Sequence, residues 1–185
     1  YAATKKACEV MAHSYSHIHN IPTTIFRFFT VYGPWGRPDM ALFKFTNLML
    51  NSQEIEIYNN GDMQRDFTFV DDLVKGIELL IDKIPDKATK QNYDIKNDSK
   101  SKIAPYRIVN IGNSNPTNLI DYVKELEVKL GIEAKKKFVG MQKGDVKNTF
   151  SDVSLLKGLT DFVPSTSIKA GINEFVKWYK DYYEK

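Results

Sequence analysis

The chain has 185 residues, 42% of them hydrophobic and 26% charged, a balance that gives one ordinary core and excludes a disordered or fibrous chain. Its net charge of +3 comes from acids and bases mixed along the sequence, so no clustered basic face for nucleic acid is expected. The single cysteine, Cys8, excludes an internal disulfide framework and fits a reducing cytoplasm, and no apolar run approaches the roughly 20 residues that cross a membrane.

In chain order, residues 2–19 read as a helix. Ala3, Ala7, Val10 or Met11, Ser14 and Ile18 recur at spacings of three and four, and Asn20 and Pro22 end it. Thr23 to Phe29 reads as a buried parallel strand with Arg27 near its end, followed by a loop from Thr30 that Gly33 and Pro34 turn. Asp39 is the expected cap of a helix from Met40 to about Asn51. Ile55 to Tyr58 reads as a short strand, Asn59-Asn60-Gly61-Asp62 as a hairpin turn, and Asp66 to Val70 as the next strand with Phe67 and Phe69 on one face. Asp71 or Asp72 then caps a helix to about Lys83. Residues 85–105, rich in Asp, Lys, Asn and Ser, read as a mobile surface loop. Arg107 to Ile111 is a strand. A helix starts at Asn115-Pro116-Thr117 and ends at Gly131, with Leu119, Tyr122, Val123, Leu126 and Leu130 as its apolar face. Lys135 to Val139 reads as a strand, residues 152–157 as a short helix, and Ser167 as the cap of a last amphipathic helix from Ile168 to Tyr183.

The first chemistry lies at the start. Tyr1 and Lys5 are four residues apart on a helix and point to one side of it. A tyrosine hydroxyl ordinarily titrates near 10 and is a poor base at neutral pH; a nearby ammonium favours the phenolate. Such a pair can take a proton from a substrate hydroxyl while a hydride leaves the same carbon for a nicotinamide. Tyr-x-x-x-Lys alone arises by chance in many helices, so the rest of the pattern decides. His13 and His17 share one helix face, but no HExxH frame follows, and no metal site is expected. Asp71-Asp72 is read as a helix cap rather than a metal pair, and the Phe175, Trp178, Tyr179, Tyr182 and Tyr183 cluster as helix packing.

Tyr1-Ala2-Ala3-Thr4-Lys5, then RFFTVYGPWGRPDM from Arg27 to Met40, then NNGDMQRDFTFVDD from Asn59 to Asp72, together resemble the extended short-chain dehydrogenase/reductase family, in its NAD-dependent epimerase/dehydratase branch. Within it they are most similar to the nucleotide-sugar epimerases that act at C4 of UDP-glucuronate. The resemblance continues through APYRIVNIGNS (104–114), GDV (144–146) and PSTSI (164–168).

The resemblance implies an α/β fold: the C-terminal part of an extended Rossmann-fold epimerase, with residues 1–34 the end of the NAD-binding domain and 35–185 a nucleotide-sugar-binding region. The family's glycine-rich dinucleotide fingerprint and its catalytic Ser or Thr are not found in this sequence. The expectation is therefore a fragment beginning at the catalytic tyrosine, with NAD held mainly by the missing N-terminal half and no turnover by the fragment alone. Tyr1 and Lys5 are the expected catalytic pair, with Tyr1, Lys5 and Phe29 at the nicotinamide. Thr30 is expected to meet the sugar, where neutral-sugar 4-epimerases often carry asparagine. Arg37 and Arg65 are expected at the diphosphate, where arginine's planar fork suits paired oxygens. Ile57 and Tyr58 match positions that hold the uracil. Gln142, Gly144 and Asp145 match the segment closing over uridine, although Lys143 replaces the subgroup's usual proline. The expected partners are a UDP-sugar and a second copy, in a homodimer through the Tyr1–Lys5 helix. The expected reaction is UDP-glucuronate to UDP-galacturonate through a 4-keto sugar. The alternatives are a UDP-glucuronate decarboxylase, a nucleotide-sugar 4,6-dehydratase, or a non-catalytic nucleotide-sugar-binding and dimerising fragment.

Overall fold

The computed structural model describes residues 1–87 and 98–184. In chain order it holds α1 (Ala2–His19), β1 (Thr23–Phe28), β2 (Thr30–Tyr32), α2 (Ala41–Leu50), β3 (Glu54–Ile57), a 3₁₀ turn (Tyr58–Gly61), β4 (Gln64–Arg65), β5 (Phe67–Phe69) and α3 (Val70–Leu80). Then come β6 (Tyr106–Ile111), β7 (Thr117–Asn118), α4 (Leu119–Leu130), β8 (Lys135–Phe138), α5 (Ser154–Thr160) and α6 (Ile168–Tyr183). Helices and mostly parallel strands make it an α/β chain. Among the described residues no helix is long and apolar enough to cross a membrane.

The chain forms two compact units, each drawn from three stretches: 1–28, 74–111 and 152–163 in one, and 29–73, 112–151 and 164–185 in the other. This is a division by packing; the functional division at residue 34 is taken up below.

In the first unit β1 and β6 run parallel, from Thr23 opposite Tyr106 to Phe28 opposite Ile111. Tyr106, Arg107, Val109 and Ile111 of β6 are buried. β1 was expected to be buried and is half-exposed, because among the described residues β6 is its only strand neighbour. α1 is fastened by polar bonds: Ser16 Oγ donates to Pro105 O (3.2 Å), and the Tyr106 hydroxyl donates to Glu9 O (3.0 Å). His13 Nε2 bonds Ser101 Oγ (2.8 Å) and His17 Nδ1 bonds Ile103 O (2.7 Å), so both histidines hold the 101–103 turn. The mobile-loop reading of 85–105 fails for residues 98–105. Arg107 and Asp98 form a buried bidentate pair at 3.0 and 2.9 Å, and Ser99 Oγ accepts from Ile108 N at 2.9 Å. A guanidinium and carboxylate shielded from water need each other, and that need ties the segment to β6. Residues 88–97 of that reading lie outside the described residues.

In the second unit three short strand pairs, β2–β5 and β3–β8 parallel and β4–β7 antiparallel, pack with α2, α4 and α6. The core joins Tyr32, Phe45, Ile57, Phe67, Tyr122, Leu126, Phe175 and Tyr179. Phe67 stacks on Tyr122 with ring centroids 4.1 Å apart and nearly parallel planes. Gly171 lets α6 lie directly on the Tyr32 ring, where any Cβ would overlap it.

Several boundaries differ from the sequence reading. Thr30–Tyr32 is a strand, not a loop: the chain changes partner at Phe29, from β6 to β5. Asp39 does not cap α2, because its carboxylate is taken by Arg37; Met40 stands at the cap without a side-chain bond. Asn59 and Asn60, both left-handed, reverse the chain as expected, but β3 and β4 do not pair with each other. α3 begins at Val70, so Asp71 and Asp72 lie in its first turn, and Asp72 accepts from Ser165 N (3.0 Å) and Thr166 N (2.8 Å) of the PSTSI segment. α4 starts after β7, capped by Asn118 Oδ1 at Ile120 N (2.8 Å) rather than by residue 115. α6 spans the expected residues, with Ser167 Oγ accepting from Ala170 N.

Asp66 is wholly buried. Its Oδ1 accepts from Asn113 N (2.9 Å); its Oδ2 accepts from Ser114 N (3.0 Å), Ser151 N (2.8 Å) and Ser151 Oγ (2.5 Å). Replacing it by alanine strands these donors. Asp66→Ala is expected to lose at least about 3 kcal/mol in urea unfolding, against less than about 0.5 kcal/mol for the exposed Asp71→Ala.

Candidate active site

α1 opens the first unit's site. Tyr1 is 93% exposed at its N-terminus, and the Lys5 Nζ lies 5.5 Å from the centre of the Tyr1 ring, within range of a cation–π attraction. The helix's own spacing brings the two together, as the sequence predicted. They line an open cleft of about 570 Å³ with Lys6, Glu9, Arg27 and Phe28 among its walls. Glu9 was not singled out in the sequence. It is two turns below Tyr1 on the same face, a spacing signal that was there to be read. Its carboxylate accepts from Arg27 Nε (2.6 Å) and Nη2 (2.7 Å) and from Lys6 Nζ (2.8 Å). The Arg27 bond, then the Lys6 bond, lowers its pKa from 4.5 to about 2, and the same pairing raises that of Arg27.

The other expected residues belong to the second unit. Phe29 is the residue between β1 and β2. Thr30 donates its backbone N–H to Asp66 O at 3.0 Å and shares a small cavity of about 40 Å³ with Gly33, Arg37, Phe67 and Tyr122. Arg37 lies at the cavity's rim, paired with Asp39 at 3.1 and 2.5 Å.

Arg65 and Asp145, eighty residues apart in sequence, are ion-paired: Arg65 Nη2 donates to Asp145 Oδ1 at 2.8 Å, while Nη1 donates to Gln64 O and Lys147 O, both at 3.0 Å. Tyr58 and Gln142 are likewise brought together by a hydrogen bond, and the Tyr58 hydroxyl donates to Glu56 Oε2 at 3.1 Å. The Glu56 bond, with burial behind it, raises the Tyr58 pKa. The link is a bridge that sequence reading missed. Gln64 N donates to Lys147 O (3.0 Å) and Thr149 N to Gln64 O (3.2 Å), seating 142–149 against β4. Thus Tyr58, Arg65, Gln142 and Asp145 form one polar surface, with Lys147 and Asp62 paired beside it at 2.5 Å. Arg65 and Lys147 are each paired with a carboxylate there, and Tyr58 and Gln142 add neutral hydrogen-bonding groups, so the surface suits a polar, hydrogen-bonding ligand.

The family model described as the NAD dependent epimerase/dehydratase family matches residues 1–95. The chain belongs to this family. Among curated relatives it is 52% identical to "Protein CapI" of Staphylococcus aureus and 48% identical to a "Probable UDP-glucuronate 4-epimerase" of Rhizobium meliloti, in each case over all of this chain. It spans about half the length of these relatives: 55% and 54%. Among solved structures it resembles the UDP-glucuronic acid 4-epimerase of Bacillus cereus, in complex with UDP-glucuronic acid and NAD. The TM-score is 0.81 at 30% identity, covering 98% of this chain and 52% of that one. The cleft's donors, a phenol and an ammonium against the phenyl wall of Phe28, fit the nicotinamide and ribose end of this family's cofactor. Among the described residues no group of three or more His, Cys, Asp or Glu side chains is arranged to hold a metal ion.

Because the folded-state pKa of Glu9 is depressed, its stabilising contribution is complete above about pH 4.5 and disappears as the pH falls through about 2. The stability difference between wild type and Glu9→Gln is therefore expected to be constant at neutral pH and to shrink toward zero near pH 2 in urea titrations.

Proposed function

We infer that the protein carrying this chain is a UDP-glucuronate 4-epimerase, interconverting UDP-glucuronate and UDP-galacturonate with NAD. The observation that carries this reading is the Tyr1–Lys5 pair opening onto a cleft on α1, in a chain whose relatives include proteins of that name. Residues 1–34 are then the end of the cofactor domain and 35–185 the sugar-nucleotide region.

The Lys5 ammonium stabilises the Tyr1 phenolate, which accepts the proton of the sugar's C4 hydroxyl as that carbon is oxidised to a ketone. NAD, when bound, supplies the hydride acceptor and donor for C4. After the 4-keto sugar turns over, Tyr1 returns the proton to the C4 oxygen and the epimer results. Lys5 would also hold the nicotinamide ribose of bound NAD, and Phe29 would meet its nicotinamide. Thr30 donates to the sugar. Arg65 and Arg37 neutralise the diphosphate, Tyr58 and Gln142 hold the uracil, and Asp145 accepts from ribose hydroxyls. A 4-keto uronate is a β-keto acid and loses carbon dioxide unless shielded, so the site must hold the intermediate tightly.

The sequence contains no glycine-rich phosphate cradle, and the 185 residues by themselves are expected to be inactive. A second copy is expected to pack on α1, whose Val10, Met11, Tyr15 and Ile18 are exposed, and the protein is expected to work in the cytoplasm.

The complete protein, given UDP-glucuronate, is expected to form UDP-galacturonate, read by chromatography of the nucleotide sugars; UDP-xylose in its place would sink the epimerase reading. Tyr1→Phe should lower kcat by about 10²–10⁴-fold with an unchanged circular dichroism spectrum. Arg65→Gln should raise KM by about 10–100-fold and leave kcat nearly intact, as expected for binding lost equally from ground and transition states.

A further inference from the structure

Lys5 has two possible partners on its own helix, each one turn away: Tyr1 before it and Glu9 after it. A carboxylate four residues after a lysine on a helix is within reach of it. Here the two are not paired. Both Glu9 oxygens are engaged elsewhere, Oε1 by Arg27 Nε and Oε2 by Arg27 Nη2 and Lys6 Nζ, while Lys5 Nζ lies over the Tyr1 ring. Arginine's rigid fork grips both carboxylate oxygens in a fixed plane, which a single flexible lysine cannot do. We propose that Arg27, aided by Lys6, holds Glu9 away from Lys5 and so keeps the Lys5 charge available to the Tyr1 hydroxyl.

Arg27 and Lys6 are in this account positioning residues, acting through Glu9 and Lys5; the account rests on reading Tyr1 and Lys5 as the proton-transfer pair. Among the described residues the ionisable groups around Glu9 are Tyr1, Lys5, Lys6 and Cys8 of α1 and its N-terminus, Arg27 on β1 and Tyr106 on β6, whose hydroxyl donates to the Glu9 backbone carbonyl. Burial beside Glu9 raises the Tyr106 pKa, so that tyrosine stays neutral. The lowered pKa of Glu9 agrees with a carboxylate that is charged throughout the working range. The competitor for Lys5 is thus always present and must be restrained by geometry rather than by protonation.

The sign of each effect is fixed. Without Arg27 the Glu9 carboxylate turns to Lys5, partly cancels its charge, and less positive charge supports the Tyr1 phenolate. Without the Glu9 charge Arg27 and Lys6 are unneutralised in the cleft that Tyr1 lines, and more positive charge supports its phenolate.

The test is the pH dependence of kcat for the complete enzyme with NAD bound and UDP-glucuronate saturating, where the acid limb reports the proton-accepting group. Relative to wild type, Arg27→Gln is expected to move that limb up by about one pH unit, Glu9→Gln to move it down, and the double substitution to return it close to wild type. Circular dichroism and bound-NAD content identify variants that fold. If Arg27→Gln fails to fold, Glu9→Gln and the double substitution decide the matter. A limb that stays put or rises in Glu9→Gln overturns the proposal, as does an unmoved limb in folded Arg27→Gln. A merely structural ion pair would lower kcat without moving the limb in opposite directions. Wild-type turnover by Tyr1→Phe would instead overturn the underlying assignment of the proton-transfer pair.

Discussion

The second unit depends on burying the Asp66 carboxylate. A carboxylate taken wholly out of water is costly unless strong donors replace its hydration. Here four uncharged donors do so, from two stretches far apart in sequence: Asn113 and Ser114 after β6, and the backbone and hydroxyl of Ser151. The backbone of Asp66 adds two more ties, its N–H to Thr149 Oγ1 at 2.9 Å and its carbonyl to Thr30 N at 3.0 Å. One residue therefore fixes where β2 begins, where the 112–114 stretch lies and where 149–151 returns.

The candidate substrate residues are arranged around that knot. Arg65 is its sequence neighbour, and Thr30 is bound to it. Gln142 and Asp145 belong to the irregular stretch that Ser151 and Thr149 anchor and that Gln64 bridges. The arrangement is economical in physical terms: binding side chains on loops are precise only when something buried holds the loop ends. The partly exposed ion pair of Arg65 and Asp145 contributes little to stability in comparison.

In the first unit the corresponding constraint is the attachment of α1. Its N-terminal turn is open to solvent, and its fastening comes further along, from Glu9, His13, Ser16 and His17 to β1, β6 and the 101–105 turn. The first turn of the helix is thus exposed while its body is held.

Local chemistry was legible in the sequence. Helical spacing alone joined Tyr1 to Lys5, apolar periodicity gave the buried face of α4, and Ser167 and Gly131 marked helix ends where structure finds them, because these effects act within a few residues. The tertiary structure alone decided what acts across long separations. It made a strand of Thr30–Tyr32, since strand pairing depends on a partner that no local pattern names. It took Asp39 from a cap to an ion pair, since a nearby guanidinium competes for the same oxygens. It joined Arg65 to Asp145 and buried Asp66 among donors some fifty and eighty-five residues away. A sequence states which groups need partners; only the folded chain, by bringing distant backbone within hydrogen-bond reach, determines which partners they receive.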